Sequence, residues 1–201
     1  LIVQARRTEL DLADDGSRRE RIALELGTPS GVTMEICLWT PSGQGPFPLL
    51  LTPPRYYQLA WAEAALKRGY MVCLYPGVDS HHREDDYPGY ESFWEDVRAQ
   101  YPEATWTEMA VKAWLAGRAL DYLLDPTSVV DVNEEQIGIT GFSRYGKQAM
   151  IATALDWRIT CVVARSPGSP GSCPYRFTSR DTFGESPEVF PGIWFLPGLR
   201  S

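Results

Sequence analysis

Apolar positions along the chain fall into short blocks that alternate between two periods. Residues 47–52 and 70–75 are continuous apolar runs of strand length, the pattern of strands buried on both faces. Residues 136–140 and 159–164 read as two further strands. Segments with helical spacing lie between them. Residues 59–68 form one, stopped by Gly69. Residues 107–124 form a longer one, with Met109, Ala113, Ala116, Leu120 and Leu124 near a single stripe. Upstream, residues 10–28 and 32–39 read as an antiparallel pair turned by Pro29-Ser30-Gly31. Strands alternating with helices predict an α/β fold: a mostly parallel sheet from Phe47 onward, with helices on both faces. The strands ending near Thr52, Tyr75, Thr140 and Ala164 would point their carboxyl ends at one rim, where such sheets bind ligands. Residues 79–105, polar and rich in aromatics, read as an irregular insertion at that rim with room for one short helix.

The run Ile137-Gly138-Ile139-Thr140-Gly141-Phe142-Ser143-Arg144-Tyr145-Gly146-Lys147 carries the sharpest chemistry. An apolar strand enters Gly-x-Ser, and a helix-forming run, 148–155, follows at once. This is the context of a nucleophile elbow, which holds a serine on a strained turn at the top of a sheet. Strand and helix pass close together there, and Gly141 and Gly146 supply the small residues. The usual pattern places the second glycine two residues after the serine; here Tyr145 stands there and the glycine comes one later. The competing reading of Ser143 is an ordinary helix N-cap.

A serine hydroxyl is a weak nucleophile until a base takes its proton. The chain has two histidines, His81 and His82, and both precede Ser143. In α/β-hydrolases the order is serine, acid, histidine, so nothing after Ser143 can be that histidine. Three readings stay open: the chain continues past Ser201, the base is unusual, or there is no catalysis.

Composition narrows the classes. The 201 residues suffice for one domain, 1–201, with a real core. A net charge of −7 without a basic run argues against a nucleic-acid partner. No apolar run is long enough to span a bilayer, so no membrane partner is expected. The start at Leu1 reads as a processed product or a piece of a longer chain. Cys37, Cys73 and Cys161 sit in apolar strand-like runs and read as buried free thiols, and Cys173 stands apart. No Cys-x-x-Cys pair suggests zinc. The segment Asp79-Ser80-His81-His82-Arg83-Glu84-Asp85-Asp86 has ligand-type side chains, but adjacent histidines in a loop do not share a face and Arg83 would repel a cation. It reads as a solvated loop, with His81 or His82 kept as a substitute base. Tyr87, Tyr90, Phe93, Trp94, Tyr101 and Trp106 suit either sugar faces or a lid's own small core. Asp181, Glu185 and Glu188 read as solvated. No metal and no cofactor is expected.

From Trp114 through Leu199 the sequence resembles the glucuronoyl esterase family of carbohydrate esterases. Trp114-Leu-Ala-Gly-Arg-Ala-Leu-Asp-Tyr122 is similar to the family's helix before the elbow strand. Gly141-Phe-Ser-Arg-Tyr-Gly-Lys147 resembles its Gly-Cys-Ser-Arg-Asn-Gly-Lys signature, displaced glycine included. Trp194-Phe195, followed by a leucine and a proline, resembles its Trp-Phe block. The resemblance implies an α/β-hydrolase fold and a serine esterase that cleaves carbohydrate-linked, glucuronate-type esters through an acyl-enzyme. It implies a nucleophilic Ser143 and an oxyanion role for Arg144 through its backbone N–H and its guanidinium. It also implies that Lys147 bonds sugar hydroxyls and that Trp194 flanks the sugar. The residues give the Arg144 role separate support. The loop that usually supplies the other oxyanion donor reads Thr52-Pro53-Pro54-Arg55, and two prolines have no N–H to give.

The departures matter as much. The family's acid lies just after the strand that follows the elbow helix, or after the next strand. Here 164–168 contain no carboxylate. The family's histidine lies further on, and its fold needs two more strands than the chain shows. The resemblance therefore implies the N-terminal two-thirds of a domain, with the sheet completed by a C-terminal segment or a second chain. It also implies a secreted or periplasmic location. Two other functions stay open: an inactive hydrolase-like module that binds carbohydrate or protein, and a general carboxylesterase or peptidase of the same fold.

Overall fold

In the computed structural model, residues 2–54, 56–77, 93–128, 130–168 and 171–172 are described. They run β1 (Ile2–Leu12), β2 (Arg18–Leu26), β3 (Thr33–Thr40), β4 (Phe47–Thr52), α1 (Tyr56–Leu66), β5 (Met71–Leu74), α2 (Phe93–Gln100), α3 (Glu108–Leu123), β6 (Val132–Phe142), α4 (Arg144–Leu155) and β7 (Cys161–Arg165). Their strands form one sheet in the order β1-β2-β3-β5-β4-β6-β7. β4 pairs in parallel with β5 and β6, and β6 with β7. β1, β2 and β3 are antiparallel, and β3 joins antiparallel to β5. The parallel part begins at Phe47, as the apolar runs predict.

Period-two alternation sends the two faces of β3 into different cores. Ile36 and Leu38 join Leu49, Leu51, Ile137 and Ile139 under α3 and α4. Cys37 and Trp39 join Val72 and Leu74 under Ala62 and Leu66 of α1. Helices therefore cover both faces. Burying each such side chain contributes roughly 1.5–3 kcal/mol. α3 is started by Thr107, whose side chain accepts from the Ala110 N–H at 3.2 Å.

The N-terminal region differs from the expected pair: it has three antiparallel strands. The stretch 10–28 crosses a turn, closed by the Gly16 N–H on the Ala13 carbonyl and by Ser17 N–H on Asp15 Oδ1 at 2.9 Å. Gly16 takes φ +82° there. β1 is an edge strand, exposed along nearly its whole length, so it carries no apolar alternation to read. Its ion pairs, Arg7–Glu20 at 2.6 Å and Glu9–Arg21 at 2.8 Å, show in the sequence only as mixed charge. β6 starts earlier than expected, at Val132, because its first residues are polar and only Val132 pairs, with Phe47. β7 is the other edge of the described sheet, with Val162 and Val163 37% and 61% exposed. Cys37 and Cys73 are buried as expected, but Cys161 is exposed, because it opens that edge strand.

Candidate active site

β6 delivers the chain to Ser143 at the carboxyl end of the parallel strands, and α4 departs from it. Ser143 has φ +58° and ψ −125°, a left-handed backbone that favours glycine. Such strain costs on the order of 1–3 kcal/mol and persists only where the surroundings impose it. The surroundings here are specific. The Ser143 N–H donates to the Arg165 carbonyl at the end of β7 (2.9 Å), and the Ser143 carbonyl accepts from Gly146 and Lys147 N–H at 2.9 and 3.2 Å. Ser143 occupies the N-cap place of α4, yet its side chain makes no capping hydrogen bond. The N-cap reading therefore fails to account for this serine.

The glycines of the motif are there for space. A β-carbon at 141 would lie 2.3 Å from the Tyr145 carbonyl oxygen and 2.9 Å from the Gly146 nitrogen. One at 146 would meet the Gly141 carbonyl oxygen at 3.1 Å and the Pro167 Cβ at 3.2 Å. Gly146 thus admits both the elbow strand and the loop after β7, which accounts for a glycine one place later than usual. Tyr145, in the usual glycine position, is 1% exposed. Its ring lies over Gly77, where a β-carbon would come within 2.5 Å of Cε1. Space that the second glycine normally supplies is supplied here by a glycine after β5.

A buried amide ties the rim together. Gln148 Nε2 donates to the Pro76 carbonyl (3.0 Å) and to the Lys112 carbonyl (3.2 Å), linking α4, the end of β5 and α3. Lys112 is itself buried, and desolvation pulls its pKa from 10.5 down to about 8, against the raising effect of Glu108. Sequence reasoning missed Gly77, Gln148 and the burial of Lys112, and did not say what Tyr145 packs against. The one readable signal was Tyr145 in the place of a glycine.

Arg144 is the first residue of α4, so its amide belongs to the first turn, where N–H groups form the positive end of the helix. Its side chain is half-buried. Lys147 lies one turn on and is 4% exposed. Thr52, Pro53 and Pro54 are buried at the end of β4, beside the elbow strand. Trp194, Arg55, the 79–86 cluster with His81 and His82, and Asp181, Glu185 and Glu188 lie outside the described residues. So does most of the 79–105 insertion, of which 93–105 are described and include α2. A serine on a strained turn beside the first amides of a helix can present a hydroxyl to an acyl carbon and hydrogen-bond donors to its oxygen.

Three comparisons bear on this geometry. The 4-O-methyl-glucuronoyl methylesterase 1 of Sodiomyces alcalophilus is 37% identical over 71 residues, 35% of this chain and 14% of that protein. The structure of a glucuronoyl esterase from Teredinibacter turnerae aligns with a TM-score of 0.64 at 19% identity, over 86% of this chain and 47% of the other. A glucuronoyl esterase mutant from Sporotrichum thermophile, in complex with methyl 4-O-methyl-β-D-glucopyranuronate, aligns with a TM-score of 0.56 at 18% identity, over 87% and 44%. The chain thus spans half or less of these relatives' lengths. The structural likenesses show the α/β-hydrolase fold. The family model for fungal glucuronyl esterases matches residues 20–190, and the chain belongs to that family.

Proposed function

We propose that this chain carries the nucleophile part of a serine esterase that hydrolyses carbohydrate-linked, glucuronate-type carboxylic esters. The observation that carries the proposal is Ser143 at φ +58°, uncapped, at the strand-to-helix turn of a chain from this family. Ser143 Oγ attacks the ester carbonyl carbon and gives its proton to a base. The negative charge that develops on the carbonyl oxygen meets the Arg144 N–H and guanidinium. The C–O bond to the alcohol then breaks, the alcohol leaves with the proton, and water cleaves the acyl-enzyme by the reverse sequence.

Lys147, four residues beyond Ser143, would bond sugar hydroxyls, and Trp194 would flank the ring. These roles rest on the family resemblance. The glucuronate ester bound by the Sporotrichum relative supports the same substrate class. The same reading takes 1–201 as the N-terminal part of one domain, with 79–105 inserted at its rim. It takes the acid and base from a further C-terminal segment, since both histidines of the chain, His81 and His82, precede Ser143.

Hydrolysis of a methyl glucuronate, p-nitrophenyl acetate and a peptide by the full-length protein, which includes the C-terminal segment, compared side by side, tests the proposal. Preference for the glucuronate supports it. Equal or better turnover of either other substrate assigns a general carboxylesterase or peptidase. No turnover, with no labelling by a serine-directed fluorophosphonate, assigns an inactive binding module.

A further inference from the structure

At the end of the sheet opposite Ser143, a cavity of about 210 Å³ lies between the sheet and the last turn of α3. Thr40 and Glu20 contribute from the sheet face that holds Ile22 and Leu38. The β3–β4 loop at Gly43–Gly45 and Asp131 before β6 close the far side. Nothing in the proposed ester chemistry uses this end of the molecule.

Two features mark the cavity as more than a packing gap. The first is unmet hydrogen-bonding capacity. Thr40 is 5% exposed, and its Oγ1 has no hydrogen-bond partner among the described residues. Glu20 is 4% exposed and holds Arg7 Nη2 at 2.6 Å as an ion pair through its Oε1, so the unpartnered atom is the Thr40 hydroxyl. A buried polar atom left without a partner costs about 1–3 kcal/mol, so an occupant that supplies one is favoured. The second feature is balance. Arg7 and Arg18 bring two positive charges, and Glu20 and Asp131 two negative ones. The lining offers donors and acceptors together, and Phe47 and Tyr122 add aromatic surface. Cancelled charge favours a neutral ligand. Mixed donors, acceptors and aromatic surface suit a ring with hydroxyls at its edge and C–H groups on its face. The volume falls below the roughly 300–1,000 Å³ of drug-sized pockets, which limits the occupant to one small ring.

We infer that this cavity is a binding site for a small neutral polyol, one sugar ring in size, held by Thr40 and Glu20 and separate from the elbow. The inference does not depend on the esterase proposal. Chemical-shift titration of the intact chain with D-xylose and with myo-inositol tests it. The amides of Gly43, Gly45 and Asp131 shift saturably, while those of Ser143 and Arg144 do not follow the same curve. Thr40→Val keeps the shape and removes the unpartnered hydroxyl. Its thermal midpoint is therefore unchanged or higher, and its affinity falls about tenfold. Tyr122→Phe, at a half-buried position, is the second variant and weakens binding several-fold with the fold intact. Absence of saturable shifts up to the solubility of both probes would mean a cavity holding ordered water only, and would overturn the inference. Shifts confined to the elbow, or unchanged affinity in both variants, would overturn it equally.

Discussion

A β-carbon on Gly77 would sit 2.5 Å from Cε1 of Tyr145, so the ring that replaces the usual elbow glycine depends on a glycine 68 residues earlier. Gly77→Ala should displace the ring and destabilise the protein by about 1–3 kcal/mol, the usual cost of overpacking. In a Tyr145→Leu background the same substitution should cost much less. Denaturant midpoints of the two single variants and the double variant measure that coupling. Additive effects would mean that the two residues do not share the space.

Gly141→Ala should be worse than Gly146→Ala. The first puts a β-carbon 2.3 Å from the Tyr145 carbonyl oxygen, a backbone atom that cannot swing away; the second meets nothing closer than 3.1 Å. We expect Gly141→Ala to cost about 3 kcal/mol or more and Gly146→Ala about 1 kcal/mol. Urea unfolding of both checks the order.

Ser143→Gly separates strain from chemistry. Glycine adopts φ +58° without penalty, so the variant should gain roughly 1 kcal/mol of stability and lose all fluorophosphonate labelling. A loss of stability would show that the serine side chain, and not the elbow, holds the turn.

Lys112 gives a pH signature. Burial lowers its pKa from 10.5 to about 8 in the folded protein. Between those values the unfolded chain binds more protons than the folded one, so stability rises with pH across that window. Below about pH 8 the charged lysine is a net cost. Lys112→Met should flatten the slope between pH 8 and 10.5, measured as unfolding free energy against pH. A slope that persists in Lys112→Met would assign it elsewhere.

The parallel half of the fold was legible because strands buried on both faces leave continuous apolar runs, as at 47–52 and 70–75. The elbow was legible because strand, Gly-x-Ser and helix-forming run are adjacent in sequence. β1 was not, since an exposed edge strand such as Ile2–Leu12 has no face to alternate. Cys161 was misread because an apolar strand reads as covered whether or not it has a neighbour on each side. The Gly77–Tyr145 contact and the Gln148 clamp join residues 68 and 36 or more positions apart, and helical spacing does not say which neighbour a side chain meets. Arg144 and Lys147 were placed by motif, and the structure adds their positions, Arg144 at the start of α4 and Lys147 one turn on.

The most direct test is the release of methanol from methyl 4-O-methyl-glucuronate by the full-length protein, C-terminal segment included, and by its Ser143→Ala variant. If Ser143 is the nucleophile, the wild type turns over and kcat in the variant falls by about 10⁴-fold or more, with thermal stability retained. Turnover that survives in Ser143→Ala at a comparable rate would contradict the assignment of this elbow as the reacting centre.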